Sequence, residues 1–549
     1  MGGEPVIPLS LAQIAQITGG QLTGPPEALV TGEVVIDSRR AGPGGLFAAL
    51  AGERSDGHDF AAAAVAAGAV AVLATRPVEA PAVLVPNVPA ALAALAAFVA
   101  DALPALRIAG ITGSSGKTST KDLTAQLAER LGPTVAPAGS FNNELGHPLT
   151  VLRVDATTQN LVLELSARGV GHIAYLCRIA PPRYGAVLNV GHAHEGEFGG
   201  LDQIAQAKGE LIEALPADGA AVLNADDPRV LAMASRTAAR IVTFSTGPDL
   251  PGLSPFPHPS LLSPFSPHKS HTPQDVGAKP SGTLHQSRAS HVPQPTIQAA
   301  DIRLDDLGRP SFTLLAPEGS APVTLRLHGA HNVPNALAAA ALARELGLGL
   351  ADIADGLSAA VARSRWRMEV HRRADGVTVI NDAYNANPES VRAALEALGR
   401  LAHDGRAFAV LGHMAELGGA SPARHVEAGE FAARFLGPAL AGLIAVGPEA
   451  APLLEGARQV TSWRGEALGV PDGPAALAVL ADRLKPGDVV LVKASREVRL
   501  EGVAEMLLAP GGTVLAPGGR PPGIPPILGG SRSPQTPSAP HTPLGEADQ

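Results

Sequence analysis

The chain has 549 residues, 45% of them hydrophobic and 17% charged, with a formal net charge of −9. That gives apolar material for roughly three domains and argues against a general nucleic-acid binder or a membrane-surface protein. Aromatics are only 3%, so alanine, valine and leucine must fill the cores, and the single cysteine, Cys177, excludes an internal disulfide and fits a reducing compartment.

Residues 1–104 read as a first unit. MGGEPVIPLS has no basic region ahead of an apolar core, so no signal peptide is expected. The alanine-rich stretch in the 60s and 70s is interrupted by Gly68 and too small-sided for a membrane span, so a cytoplasmic protein without membrane insertion is expected. Leu9 to Thr18 has the spacing of a short amphipathic helix, while Glu33 to Asp37 and Phe47 to Leu50 read as strands. Ser38 and Arg39 leave the first strand for a loop, and Asp56-Gly57-His58-Asp59 is a polar turn before an alanine-rich helix. These loops are either solvated or hold a phosphorylated or sugar-containing ligand.

The second unit, 105–364, opens with LRIAGITGSSGKTSTKDLTAQLAERL. Leu106, Ile108 and Ile111 suit a buried strand, Gly110, Gly113 and Gly116 permit a tight turn, and helical spacing begins at Thr118. A helix N-terminus fed by a glycine turn offers free N–H groups to an anion. Lys117 adds a charge for the β- and γ-phosphates and Thr118 a hydroxyl for Mg²⁺. The spacing is shorter than the strict phosphate loop, with Ile111 where its first glycine would stand. Ser140 to Pro148 (SFNNELGHP) reads as a substrate-binding loop flanked by strands. Glu164 interrupts an apolar strand and needs a partner or a metal unless its face is exposed. The strand Ala186 to Val190 runs into His192 and His194, where ligands of α/β sheets bind. Lys208, on a helix, reads by itself as a solvated charge. The Pro/Ser/His-rich stretch 247–295 has no periodicity and is expected to be a disordered insertion. Ala300 to Leu304 opens a hairpin, and Asn335, before an alanine helix, either caps it or reads a base edge.

The third unit, 365–510, has strands at Val377 to Asp382, Ala407 to His413, Leu443 to Val446 and Val489 to Lys493, alternating with helices, one of which starts near Pro388. This implies a parallel, doubly wound sheet. Residues 511–549 read as a disordered Gly/Pro/Ser-rich tail.

ITGSSGKTSTKD, SFNNELGHPLT, AKGEL, GAHNVPNALAAAALA, NDAYNANPES and VLVKASREVRLE together resemble the Mur ligases, the ATP-dependent amide ligases of peptidoglycan precursor synthesis. The resemblance covers nearly the whole chain outside the insertion and the tail. It implies an α/β fold of three domains: a small N-terminal domain for a UDP-sugar, a central phosphate-loop ATPase domain with a mostly parallel sheet, and a C-terminal Rossmann-like domain. NDAYNANP points, within the family, to joining D-alanyl-D-alanine to a UDP-N-acetylmuramoyl-tripeptide through an acyl phosphate. By the same resemblance Gly113, Ser114, Ser115, Gly116, Lys117, Thr118 and Ser119 cradle ATP, Asn335 contacts adenine, and Arg367 and Asp382 reach the nucleotide on domain closure. Two Mg²⁺ are expected, held by Thr118, Glu164, His194 and a carbamylated Lys208, with Lys117, His194 and Lys208 as the catalytic set. Asn142, Asn143, Ser166, Tyr384, Asn385, Asn387, Lys493, Ser495 and Arg496 are expected around the substrates, with Ser38, Arg39, Asp56 and His58 at the UDP-sugar. A monomer is expected. Three departures stand out: His413 where the family has Asp, Ala494 where it has Gly, and Gly45 where Asp is common. The competing readings are a sister ligase adding one amino acid, and a phosphate-loop kinase or nucleotide-gated binding module. The last leaves Glu164, His194, Lys208 and the third unit unexplained.

Overall fold

The computed structural model describes residues 6–52, 55–192, 198–247, 295–403 and 405–509. His194, the 247–295 insertion beyond its edges and the C-terminal tail lie outside the described residues. The rest forms three α/β domains, each built on its own sheet.

The N-terminal sheet runs Gln21–Thr23, Ala82–Leu84, Ala71–Ala74, Leu46–Ala48, Val34–Val35, with only the first pair antiparallel. The expected first helix is Leu11–Thr18; Ser10 caps it through a reciprocal bond with Gln13, and Gly19 ends it in the left-handed conformation (φ 64°).

Among the described residues the central sheet has nine strands, and Arg107–Thr112 lies third from one edge, parallel to Asn160–Glu164 on one side and Tyr184–Val187 on the other. Covered on both faces, it reads as a continuous apolar run, and it delivers the phosphate loop to the carboxyl edge of the sheet. Parallel strands extend through Ile297–Leu304, after which Pro310–Ala316 and Gly319–Thr324 finish the sheet antiparallel, as the hairpin reading anticipated. The helix Asn332–Leu346 packs against the phosphate-loop helix Lys117–Ala128. Its alanines let the two backbones approach closely, and one apolar core joins both helices to one face of the sheet.

The C-terminal sheet orders Glu369–Arg372, Thr378–Asn381, Val489–Lys493, Ala407–Gly412, Leu440–Val446, Glu466–Val470; every pair but the first is parallel.

Two local readings are corrected. The loop read over Ser140–Pro148 stops at Leu145: Gly146–Val151 is helical, and just ahead of it Asn143 Oδ1 accepts from the Gly146 N–H at 2.8 Å. Asn335 does not cap the alanine helix, which starts three residues earlier at Asn332; Asn335 is buried in its first turn and donates to Asn332 Oδ1 at 3.3 Å.

Candidate active site

A cleft of about 1770 Å³ opens between the central and C-terminal domains, and the phosphate loop forms part of its floor. The turn depends on Gly116, which adopts φ 80° and starts the helix at Lys117; a Cβ there would run into the Asn335 side chain. The loop is strapped to the end of the neighbouring strand. Ser115 N–H donates to Asn189 Oδ1 at 2.9 Å, and Asn189 Nδ2 returns a bond to Ser115 O at 3.2 Å. Ser114 Oγ donates to Gly191 O at 3.1 Å and accepts from Gly191 N–H at 2.8 Å. Lys117 Nζ folds back on Gly113 O at 2.7 Å; burial pushes its pKa down, and the Glu164 carboxylate opposes that shift.

Glu164 ends the strand Asn160–Glu164 and is 1% exposed, so its strand face is not solvated. Oε1 accepts from Asn142 Nδ2 at 2.7 Å, while Oε2 is buried with no partner among the described residues. A carboxylate oxygen left bare beside a phosphate loop, with the Thr118 hydroxyl on the same cleft, is the hard-oxygen donor set that suits Mg²⁺. Lys208, on helix Leu201–Glu213, is 3% exposed, which overturns its reading as a solvated charge. Burial, reinforced by the charge of Lys117, pushes its amine well below the ordinary lysine range. A neutral amine can add to carbon dioxide, and the product is an oxygen ligand. Lys208 does not itself line the cleft.

The C-terminal domain supplies the facing wall. Lys493 is buried and donates to Asp382 Oδ2 at 2.6 Å and Asn385 O at 2.8 Å, while Asp382 Oδ1 accepts from Met368 N–H at 3.1 Å. Burial lowers the Lys493 pKa against the pull of Asp382. Asn387 caps the helix Pro388–Leu401 through Ser390 N–H at 2.8 Å, and its Nδ2 reaches Ser114 O at 3.5 Å. Ser495 Oγ accepts from Ala415 N–H at 2.8 Å. The Arg367 guanidinium sits 4.3 Å over the Tyr384 ring, with its Nε buried and without a hydrogen-bond partner among the described residues, and the Tyr384 hydroxyl meets Ser140 Oγ. Arg496 lies 4.3 Å over Trp366 and pairs with Glu501 at 2.6 Å.

Thus Ser114 to Ser119, Asn142, Asn143, Glu164, Ser166, Asn335, Arg367, Asp382, Tyr384, Asn385, Asn387, Lys493, Ser495 and Arg496 share one cleft. Ser38, Arg39, Asp56 and His58 do not line it. Arg39 turns back on its own Asp37 at 2.7 Å. His58 is buried, with Nδ1 on Asp56 at 2.6 Å and Nε2 accepting from Thr75 N–H at 3.0 Å, so both ring nitrogens are engaged within the N-terminal domain. Sequence reasoning missed Arg326, His331, Glu389 and Glu416, which also line the cleft. Glu389 carried a signal: it lies two residues past the capping Asn387, in the first helical turn.

The departures are accommodated. The methyl of Ala494 faces Gly412, where a Cβ would approach it to 2.7 Å, so one residue gives the space that the other fills. At Gly45 a Cβ would stand 2.8 Å from Glu33 O, leaving no room for an aspartate. His413 stacks on His425 with ring centroids 5.2 Å apart.

Three family models match in succession: Mur ligase family, catalytic domain, over 32–103; Mur ligase middle domain over 111–250; and Mur ligase, glutamate ligase domain, over 366–496. A UDP-N-acetylmuramoyl-tripeptide–D-alanyl-D-alanine ligase of Mycobacterium tuberculosis is 47% identical over 92% of this chain and 98% of its own length. The chain is a Mur ligase. An Escherichia coli ligase of the same name is 34% identical over 78% of this chain and 84% of its own. Among solved structures, this Mur ligase resembles MurF from Acinetobacter baumannii with TM-score 0.75 and 30% identity, covering 92% and 99% of the two chains. It also resembles the MurF ligase of Thermotoga maritima, solved in complex with ADP, with TM-score 0.66 and 29% identity over 86% and 96%.

Proposed function

We propose that this Mur ligase joins D-alanyl-D-alanine to a UDP-N-acetylmuramoyl-tripeptide at the expense of ATP, in peptidoglycan precursor synthesis. The observation that carries the reading is the single cleft that sets the phosphate loop opposite the Asp382–Lys493 pair, in a chain 47% identical to a ligase of that name. The tripeptide carboxylate attacks the γ-phosphorus of ATP, the bond to the β-phosphate oxygen breaks, and ADP leaves. The dipeptide amine then attacks the acyl-phosphate carbonyl, loses a proton and expels inorganic phosphate as the amide forms. Both reactants are anionic, so positioning and charge neutralisation lower the barrier.

In this reading the amides of Gly113 to Ser119 hold the phosphates, and Lys117 leaves Gly113 O to meet the γ-phosphate. Asn335 lies against the adenine, and Arg367 and Asp382 approach the nucleotide from the C-terminal wall. Asn142, Asn143 and Ser166 bound the tripeptide end, while Tyr384, Asn385, Asn387, Lys493, Ser495 and Arg496 bound the dipeptide. Thr118, Glu164 and carbamylated Lys208 would hold magnesium, with His194 completing a second site, and the bound cations would supply neutralisation of phosphate charge. The N-terminal domain, with Ser38, Arg39, Asp56 and His58 as its candidates, takes the UDP-sugar. The chain works as a monomer in the cytoplasm. Among the described residues no helix is long and apolar enough to cross a membrane.

The test is phosphate release with mass detection of product. Release requires the UDP-tripeptide and D-alanyl-D-alanine together and yields the pentapeptide. Release with a single free amino acid in place of the dipeptide favours a sister ligase, and a phosphorylated product with no amide favours a kinase.

A further inference from the structure

Glu389 has no part in the roles assigned above, yet it makes a short contact from the C-terminal domain to the backbone beside the phosphate loop. It is the second residue of helix Pro388–Leu401, and its Oε1 accepts from the His192 backbone N–H at 2.7 Å. The approach is close enough that a Cβ on neighbouring Gly191 would come within 2.7 Å of the same oxygen. Gly191 is in turn bonded twice to Ser114 of the phosphate loop, at 2.8 and 3.1 Å, and Asn387, two residues before Glu389, reaches Ser114 O at 3.5 Å. Arg424, from a second helix of the same domain, closes on the His192 ring at Nδ1, 3.0 Å away. Two helices of the C-terminal domain therefore grip one residue of the central domain, and that residue is a single peptide bond from the loop's own strap. A hydrogen bond weakens steeply with length and misalignment, so this contact is strict about reach.

We propose that Glu389 is a positioning residue: its carboxylate clasps the His192 N–H when the C-terminal domain closes, and through Gly191 and Ser114 it sets the phosphate loop only in that closed arrangement. This rests on the ligase reading but separates from it, because closure can be followed without peptide substrates. The chemistry asked of Glu389 is acceptance of one hydrogen bond, so an amide oxygen of the same reach should serve.

The experiment takes the full chain as wild type, Glu389→Ala, Glu389→Gln and Glu389→Asp. Small-angle scattering measures compaction on adding a non-hydrolysable ATP analogue with magnesium, and steady-state assays give kcat and KM for ATP. Glu389→Ala is expected to lose compaction and about tenfold to a hundredfold in kcat, with KM for ATP changing by about threefold or less, as for a misplaced but intact loop. Glu389→Gln is expected to restore both. Glu389→Asp, shorter by one methylene, is expected to behave like Ala and serves in its place if Glu389→Ala does not fold. Wild-type kcat and compaction in Ala or Asp overturns the proposal. So does Gln as impaired as Ala, which would make the charge, not the bond, what matters. Wild type that compacts but makes no pentapeptide sinks the ligase reading and leaves the clasp standing.

Discussion

Lys208 shows how a single side chain can be misread by type and read correctly by place. In LDQIAQAKGELIEAL the apolar positions Ile204, Ala207, Leu211, Ile212 and Leu215 form a helical stripe, and Lys208 falls inside it, four residues from both Ile204 and Ile212. The stripe forecasts burial, and burial shifts the amine towards its neutral form, the one that can add to carbon dioxide. Lys208→Ala should reduce turnover by at least about a hundredfold while leaving the thermal midpoint near wild type; near-normal activity would remove Lys208 from the site, and added bicarbonate should not rescue the variant. His147 is the converse case, a titratable ring inside a core helix. Burial holds its pKa at about 4, against an ordinary 6.5. The folded state keeps the ring neutral while the unfolded chain takes up a proton below 6.5. The stability it contributes is therefore complete above pH 6.5 and lost as pH falls towards 4, on the order of 3 kcal/mol. Urea unfolding at pH 7 and pH 4.5 should show that loss in wild type and a flatter dependence in His147→Gln. An unchanged slope in the variant would assign the acid sensitivity elsewhere.

At the scale of elements, the phosphate-loop helix does more than present a loop. Along one face, Asp122, Gln126 and Glu129 hold the segment that leads into the C-terminal domain. Asp122 Oδ2 accepts from Ser364 N–H at 3.0 Å, Gln126 exchanges two bonds with the Val361 backbone at 3.0 and 3.1 Å, and Glu129 pairs with Arg363. Gln126→Ala removes both bonds to Val361. Hydrogen exchange should speed up at residues 361–364, with local stability falling by about 1–2 kcal/mol and the sheet amides unchanged. No effect at those amides would mean that the other two pairs suffice. The major elements could be read from the sequence because burial on both faces leaves uninterrupted apolar runs, as at Arg107–Thr112 and Val489–Lys493. Two edge strands could not. Glu369–Arg372 is half-exposed and mostly polar, and Glu466–Val470 carries Gly469 at its rim, so neither shows a strong period. The start of the alanine helix was hidden for a related reason: Asn332 and Asn335 look like turn residues until the side-chain bond between them is seen. Cleft residues within compact motifs were legible together. Arg326 and Glu416 were not, because the neighbours that make them meaningful come from other segments of the chain.

In the whole molecule, the cores are unequal partners. One apolar cluster runs without a break from the N-terminal domain, through helix Val88–Asp101, into the central domain as far as Ala239. The C-terminal domain has two clusters of its own on either side of its sheet. Denaturation should therefore proceed in two steps, with the first two domains melting as one unit and the third separately. Cys177 lies in the shared cluster, and burial pushes its thiol up to about 12, so it should resist alkylation until that unit opens. Calorimetry combined with thiol labelling checks both points. Labelling during the melting of the C-terminal domain alone would contradict this division.

The continuous core across the first two domains has a consequence for choosing substrates. Under the proposed assignment it fixes the span from the sugar anchor to the γ-phosphate as a rigid gauge, and a donor peptide one residue too short or too long would miss the phosphorus wherever the third domain stands. Discrimination by donor length then belongs to the fused pair, and discrimination among acceptor amines to the third domain, so engineering one preference should leave the other largely untouched.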